Sequence, residues 1–501
     1  MVIKSLIIIT LLVLIFNVFI VKSHDINILN EQEEAQQEPG LYRIFHNGDA
    51  ESLHFLKSVV KATDYDHFRS ANSYDAYLTD VQYNLINSLS GLKVIEIHEP
   101  HKNPKFNRET ERVSPIMSTS GDIQYNAYPS HQELINFMLK IHKKYPTITK
   151  LYSIGKSSQG RDLLVMDISQ NANEKRMVPY IKLIGNIHGD EVAGRQCLLY
   201  LIDHLCYSYT KGLDKDVKQI LENTVVSILP SMNPDGYEAK KRYNGNNFDL
   251  NRNFPDKYTL FNNILTTQPE TVAVMDWSKS RNYILGCSIH GGSLVVNYPY
   301  DTNKGLTDYP SGIESPSPDD NIFRRIALTY AMNNPKMFKS NEFFAGITNG
   351  ANWYSLNGGM QDWNYDFTGN FEVTIEMSYR KTPLPRELPG HWYDNLPALK
   401  EFLLIPLNTG VYGTVLNTRG QPITSAKIHV EGIDHPIPCG EYFGDYYRLL
   451  DIGLFNLTAT ADKYKPQTKQ VFLDTIARKE LIFNLEDEDS KDHNDQGVYH
   501  K

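Results

Sequence analysis

Tyr180-Ile181-Lys182-Leu183-Ile184-Gly185-Asn186-Ile187-His188-Gly189-Asp190-Glu191 is the stretch that decides how this chain folds. A largely apolar run of this length reads as a strand buried on both faces. A helical pattern over 194–209 follows at once, so the stretch opens a strand–loop–helix unit of a parallel sheet. The loop holds His188 and Glu191, three residues apart and able to turn toward one cation. About a hundred residues later Ser288-Ile289-His290 closes another apolar run and offers a third ligand. Two imidazoles and one carboxylate hold zinc while leaving a coordination position for water, which is the catalytic rather than the structural arrangement. His-x-x-Glu by itself is a weak pattern that also arises in solvated loops, so the rest of the chain must carry the argument.

Working outward, the same alternation recurs. Val225–Leu229, Tyr283–Ile289 and Phe371–Met377 read as apolar strands and Asn321–Asn333 as a helix. Ser130-His131-Gln132-Glu133 is a capping box, opening a helix whose apolar face is Leu134, Phe137, Met138 and Ile141 and which Pro146 ends. The expected body, residues 123–405, is α/β: a mixed, largely parallel sheet sandwiched by helices, with functional groups at the strand ends. Over 406–486 the texture changes to short alternating strands with glycine turns, among them Tyr412–Leu416, Lys427–Val430, Tyr446–Leu450 and Leu454–Ala459. That pattern predicts a small β-sandwich. Upstream, residues 41–99 run β-α-β-β-α-β: Leu41–Phe45, Ala50–Val60, a weaker strand near Tyr65–Arg69, Tyr74–Asp80, Val81–Leu89 and Leu92–His98. This order is that of a ferredoxin-like α+β module. Residues 100–122, with Lys105, Arg108 and Arg112 and no periodicity, read as an exposed linker.

The ends of the chain read differently. Lys4 precedes an apolar stretch from Leu6 to Val21, and residues 1–23 have the layout of a secretory signal peptide. A signal anchor is the alternative; the polar residues from His24 onward favour cleavage. Residues 24–40 and 487–501 are acidic and solvated. No later stretch is long and apolar enough to span a bilayer, so the expectation is a soluble monomer without a membrane anchor, secreted or held in the lumen of the secretory pathway. The chain has 501 residues and a net charge of −9 with no long basic run, which argues against a nucleic-acid partner. Four cysteines are too few for a disulfide framework, and Cys197 and Cys206 would lie ~13 Å apart along one helix, too far to bridge. Asn456-Leu457-Thr458 is a glycosylation sequon.

Further chemistry gathers after the second strand. Arg242 precedes the loop Tyr243–Asn247, which leads into Asp249-Leu250-Asn251-Arg252-Asn253. Two guanidiniums and an amide suit a carboxylate, because arginine offers a planar fork; either arginine alone would read as a surface ion pair. In the strand from Phe371 the residues Phe371, Val373, Ile375 and Met377 face one way, and Glu372, Thr374 and Glu376 the other. A carboxylate on a core strand is costly unless paired or functional, which marks Glu376 as a candidate base. A solvent-facing edge position is the competing reading.

On these residues the chain resembles the zinc metallocarboxypeptidases, and within them the subgroup of carboxypeptidases E, D, M and N. The matching stretches are Tyr152 to Lys156, Gly185 to Glu191, Asp249 to Asp256, His290 to Ser293, Asn297 to Asp301 and Gly346 to Tyr365. The region 406–486 resembles the transthyretin-like domain of that subgroup through Gly420-Gln421-Pro422-Ile423 and Gly444 to Leu450. The resemblance implies one zinc ion per chain, held by His188, Glu191 and His290. It implies that Glu376 is the general base for the attacking water, and that Arg242 polarises the scissile carbonyl. It further implies that Asn251, Arg252 and Tyr354 hold the terminal carboxylate of a peptide or protein substrate, and that Asp249 fixes the tautomer of His188. Tyr354, not Tyr365, has the family's spacing to Gly358 and Glu376. Asp301 and Gln361 match the residues lining the pocket for the last side chain, so C-terminal Arg or Lys is expected.

Two departures stand out. Met377-Ser378-Tyr379 has tyrosine where relatives often carry cysteine. The subgroup normally lacks a module like 41–99, which resembles the inhibitory prosegments of the digestive carboxypeptidase A and B branch. Two readings follow: a zymogen cut near Lys105, Arg108 or Arg112, or a permanent accessory domain. A binding protein that has lost its catalytic groups is a further alternative, disfavoured because every position of the constellation is filled.

Overall fold

A computed structural model describes residues 40–45, 67–70, 73–78, 80–87, 92–96, 123–124, 126–258, 266–303, 312–340, 342–473 and 477–488. The expected signal peptide, the helix expected over 50–60, the linker 100–122 and most of both acidic segments lie outside the described residues. Among those described, no helix is long and apolar enough to cross a membrane. The chain divides into two compact units, residues 1–103 and 104–501.

In the first unit, strands β1 (Gly40–Phe45), β2 (His67–Ser70), β3 (Ser73–Leu78) and β4 (Lys93–Glu96) form one antiparallel sheet in the order β2-β3-β1-β4. Helix α1 (Asp80–Asn87) joins β3 to β4. Tyr42, Ile44, Leu78 and Ile86 are its buried apolar residues.

The second unit is built on an eight-stranded sheet. Its strands are β5 (Thr149–Lys156), β6 (Asp162–Ile168), β7 (Tyr180–Gly185), β8 (Val225–Leu229), β9 (Tyr283–His290), β10 (Ser293–Tyr298), β11 (Ile347–Asn349) and β12 (Phe371–Ser378). Their order is β11-β10-β12-β9-β7-β8-β6-β5. The central strands β12, β9, β7 and β8 run parallel, as their unbroken apolar texture predicts. Antiparallel strands flank them: β10 beside β12, and the β5–β6 hairpin beside β8. Helices cover both faces: α2 (His131–Lys144), α3 (Val192–Lys211), α4 (Lys215–Asn223), α5 (Pro269–Lys279), α6 (Asp320–Met332), α7 (Met360–Thr368) and α8 (Leu388–Asn408). The capping box at Ser130 forms, with Glu133 reaching back to the Ser130 N–H at 2.7 Å. Side-chain alternation along β7 divides the core. Ile181 and Leu183 join the cluster that includes α2, α3, α6 and α8, whereas Ile184 joins the one with Val274 and Trp277 of α5 and Met360 and Trp363 of α7.

The C-terminal region has two four-stranded sheets. One holds β13 (Val411–Asn417), β16 (Asp445–Arg448), β19 (Lys479–Glu480) and β20 (Phe483–Leu485); the other is β15 (Ile433–Pro438), β14 (Lys427–Val430), β17 (Gly453–Thr460) and β18 (Gln467–Leu473). Inward residues of both sheets, such as Val415, Tyr446, Ile428 and Leu457, share one apolar cluster with α2, α3, α6 and α8. All four cysteines are buried and none is in a disulfide. Cys197 and Cys206 lie on α3.

The face of β7 toward α5 and α7 carries a charge. Lys182, Gly286 and Glu372 are register neighbours across β7, β9 and β12. Because Gly286 has no side chain, Lys182 Nζ and Glu372 Oε2 meet over it at 3.6 Å, both fully buried. A Cβ on Gly286 would come within 3.1 Å of Glu372 Oε2 and 3.2 Å of Lys182 Cγ. Lys182 also donates to Ser278 Oγ at 2.6 Å and to Asn364 Oδ1, and Asn364 Nδ2 donates to Glu372 Oε2 at 2.8 Å. Burial brings the lysine down to about 8, against the pull of Glu372. Removing one partner leaves an uncompensated buried charge, so Lys182→Met is expected to cost about 3–5 kcal/mol, and Lys182→Met/Glu372→Leu to recover most of it. Denaturant titration of the three proteins checks this; equal losses in the single and double variants would contradict it.

Candidate active site

The carboxyl ends of β7, β9 and β12 lie side by side, where a parallel sheet presents its loops. His290 ends β9, and Glu376, one strand over on β12, is its register partner. His188 and Glu191 stand in the loop leaving β7. That loop is held by its own residues. Asn186 adopts a left-handed φ of 60°, which asparagine tolerates, and its Nδ2 donates to the carbonyls of His188 at 2.8 Å and Gly189 at 3.1 Å. A Cβ on Gly189 would fall 2.1 Å from the Gly236 carbonyl carbon, so this position has no room for a side chain. Glu191 is the N-cap of α3, yet its carboxylate makes no cap hydrogen bond and turns to the histidines instead.

Glu191 Oε1 lies 2.9 Å from His188 Nδ1, and Glu191 Oε2 lies 2.9 Å from His290 Nδ1. All three side chains are buried, and their ligand atoms lie within 4.8 Å of one another. Behind them, His188 Nε2 meets Asp249 Oδ1 at 3.1 Å. Burial pushes Glu191 up, but the two imidazoles outweigh it and hold the carboxyl well below its usual range. The donor set fits a divalent cation. If Nε2 of His188 donates to Asp249, its Nδ1 presents a lone pair toward a carboxylate oxygen, a contact that a cation between them makes favourable. Two nitrogens and a carboxylate are also the ligand chemistry of catalytic zinc.

Around this cluster stand two guanidiniums, an amide and a phenol. Arg242 is part-buried; its Nε and Nη2 donate to Asp249 Oδ2 at 3.0 and 2.8 Å, and its Nη1 lies 3.2 Å from His188 Nδ1 and 3.4 Å from Glu191 Oε1. Burial lowers the guanidinium's pKa, but Asp249 and Glu191 raise it further than burial lowers it, so it stays charged. Asn251 Oδ1 accepts the N–H of Met360 at 3.0 Å, which fixes the orientation of its amide. Arg252 Nη1 donates to the Asn251 carbonyl at 3.1 Å. Tyr354 is raised to about 12 by burial and by the charges of Glu376 and Asp301, while Arg252 and Arg242 pull the other way, so the phenol is neutral and able to donate.

Asp301 is buried at the edge of this region. Asn297 Nδ2 donates to its Oδ1 at 2.9 Å, and Gln361 Nε2 to Asn297 Oδ1 at 3.4 Å. Burial lifts Asp301 to about 6, against the Asn297 hydrogen bond. The carboxylate fits because two neighbours are glycines: a Cβ on Gly350 would fall 2.0 Å from Asp301 Oδ1, and one on Gly359 would lie 3.1 Å from Oδ2. Gln361 Oε1 is buried and has no hydrogen-bond partner among the described residues.

The structure thus gathers His188, Glu191, His290, Glu376, Asp249 and Arg242 at one end of the sheet, with the 251–252 loop and Tyr354 next to them. The edge-strand reading of Glu376 is excluded: β12 lies between β10 and β9, and Glu376 is 6% exposed. Tyr365 is elsewhere, fully buried, its hydroxyl on Asp319 at 2.8 Å. Sequence reasoning passed over Asn297 and Asp362, which hold Asp301, and the two glycines that make room for it. Asn297 and the glycines lie inside the family-like stretches, so a reading of those stretches for packing could have found them.

A zinc carboxypeptidase family model matches residues 134–398. Carboxypeptidase D of Homo sapiens is 44% identical over 385 residues, covering 73% of this chain; the chain spans 27% of that protein's length. Carboxypeptidase M of Mus musculus is 41% identical over 348 residues, covering 66% of this chain and 77% of that protein. Among solved structures, thrombin activatable fibrinolysis inhibitor superposes with a TM-score of 0.58 at 18% identity, covering 74% of this chain and 98% of that one, which shows the shared fold. With the family model spanning all eight strands of the large sheet and both relatives above 40% identity, the chain belongs to the zinc carboxypeptidase family.

Proposed function

We propose that this protein is a zinc-dependent exopeptidase that removes the last residue of peptides or proteins, preferring Arg or Lys. The observation that carries this is the buried His188–Glu191–His290 cluster at the strand ends, with Glu376 in register beside His290. In this reading residues 123–405 are the catalytic domain, 406–486 an accessory transthyretin-like sandwich, and 41–99 a prosegment or a permanent module. The leader-like residues 1–23 and the sequon at Asn456 support passage through the secretory pathway.

Each residue then has a task. Asn251, Arg252 and Tyr354 bind the substrate's terminal carboxylate, the arginine by its planar fork, which confines the enzyme to chain ends. Arg242 stands beside the scissile carbonyl and stabilises the negative charge that develops on its oxygen. His188, Glu191 and His290 would hold a zinc ion, which when bound would supply a Lewis acid to acidify the water and polarise that carbonyl. Glu376 takes the proton from the attacking water as the C–O bond forms, and returns it to the leaving amine as the C–N bond breaks. Asp249 holds the His188 ring through Nε2. Asp301, with the unpaired oxygen of Gln361, receives a cationic side chain. A non-catalytic binding protein is the second reading, and it predicts no release of the last residue by the parent protein.

Replacing Glu376 by Gln keeps the shape and removes the base. Turnover is expected to fall about 10²- to 10⁴-fold with KM little changed. A variant within threefold of the parent's kcat would contradict the assignment. The Asp301 carboxyl, lifted to about 6, is ionised above that pH and protonated below it. A cationic side chain binds the ionised form, so KM for peptides ending in Arg is expected to rise as pH falls through about 6, while KM for peptides ending in Ala does not follow. In Asp301→Ala the preference for Arg and its pH dependence should both vanish. Persistence of either would exclude Asp301 as the selecting acid.

A further inference from the structure

Helix α7 grips the segment that carries Asp301. Asp362 accepts the backbone N–H of Asp301 and of Thr302, each at 2.9 Å. One turn on, Asp366 accepts the Tyr300 hydroxyl at 2.7 Å, and Lys257 sits over the Tyr300 ring and 3.7 Å from Asp366. Gln361, on the same helix, reaches the pocket through Asn297. Three consecutive residues around the selecting acid are thus referenced to one helix.

The same helix is also referenced to the β-sandwich, through a residue that neighbours Gln361 and Asp362 on its surface. Tyr365 donates to Asp319 Oδ2 at 2.8 Å, its ring stacks on His435 of β15 at 3.8 Å between centroids, and it meets Tyr300 edge-on at 5.8 Å. Asp319, the N-cap of α6, also receives Arg448 Nη2 of β16 on both oxygens, at 2.8 and 3.0 Å. Arg448 and Asp319 are almost wholly enclosed, with side-chain exposures of 0% and 1%. A seam between two packed bodies can be held by apolar residues alone, and a buried ion pair is weak support for stability. What such a pair adds is a fixed geometry, because Nη2 holds both carboxylate oxygens while Nη1 of the same planar group donates to the Leu449 carbonyl at 3.2 Å. Arg448 belongs to the stretch Gly444 to Leu450, for which the catalytic roles above have no use.

We propose that Arg448, Asp319 and Tyr365 are positioning residues, through which the β-sandwich sets α7 and thereby the place of Asp301 in the substrate pocket. The proposal rests on the reading of Asp301 as the acid that selects a basic residue. The sandwich is then part of the specificity device, not merely a folding partner.

The test uses the full chain with matched peptides ending in Arg or Ala. Tyr365→Phe keeps the ring and removes the hydroxyl; Arg448→Lys keeps the charge and removes the fork; Ile428→Val, in the sandwich core, is the control for lost stability. Tyr365→Phe and Arg448→Lys are expected to raise KM for the Arg peptide roughly 3- to 10-fold, with kcat for the Ala peptide within about twofold of the parent. Ile428→Val is expected to lower the melting temperature and leave the Arg-to-Ala ratio unchanged. Adding Tyr365→Phe to Asp301→Ala is expected to cause no further loss, because both act through one group. If Asp301→Ala keeps the Arg preference, the specificity reading fails and this proposal with it. If Asp301→Ala loses that preference while Tyr365→Phe retains the parent's KM for Arg, the specificity reading stands and the relay is overturned. Tyr365→Phe alone decides the matter should Arg448→Lys not fold.

Discussion

Everything at the site depends on the parallel register of β7, β9 and β12. It is this register that sets Glu376 beside His290 and brings the loop after β7 to the same edge. A slip of one residue would turn Glu376 into the opposite core and leave the histidines without it. On the face toward α5 and α7 the register has a marker of its own, Lys182 and Glu372 meeting over Gly286. That contact is possible only when the glycine lies between them. The same polar knot reaches Asn364, so α7 is tied to β7 and to the strand that carries Glu376.

Electrostatics then divides the strand ends into regions with different tasks. Glu191 and Asp249 are held ionised by the histidines and Arg242 despite burial, which suits a cation and the fixed orientation of its ligands. Burial raises both Asp301 and Asp362, and the charge of Asp301 raises Asp362 further. Asp362 spends its oxygens on two backbone N–H groups, whereas Asp301 is packed against Gly350 and Gly359 and accepts from the Asn297 side chain. Two carboxylates a short distance apart thus do different work because their partners differ.

Much of this was legible in the sequence where a local pattern records a local requirement. The apolar run before His188, the capping box at Ser130 and the alternation along β12 each describe one element's own environment. Antiparallel β5, β6 and β10 were not foreseen: β5 mixes polar and apolar residues without a clean alternation, and the apolar runs of β6 and β10 carry no local sign of their antiparallel partners. β15 contains Pro436 and Pro438 and reads as a break; it survives as an edge strand, paired on one side only. Pairings across long separations left no local trace: Asp362 with the Asp301 N–H, 61 residues apart, and Arg448 with Asp319, 129 apart. Tyr354 and Tyr365 illustrate the difference. Spacing to Gly358 separated them, but only the fold shows that the second tyrosine has a buried carboxylate of its own.

The most direct test of the account compares one peptide ending in Arg as the free acid and as the C-terminal amide, with protein stripped of metal and protein restored with zinc. Mass spectrometry of the products gives the answer. The account predicts loss of a single Arg from the free acid, only after zinc is restored, and no attack on the amide, which lacks the carboxylate that Asn251, Arg252 and Tyr354 are taken to hold. Equal attack on the amide, or release undiminished in the stripped protein, would contradict it.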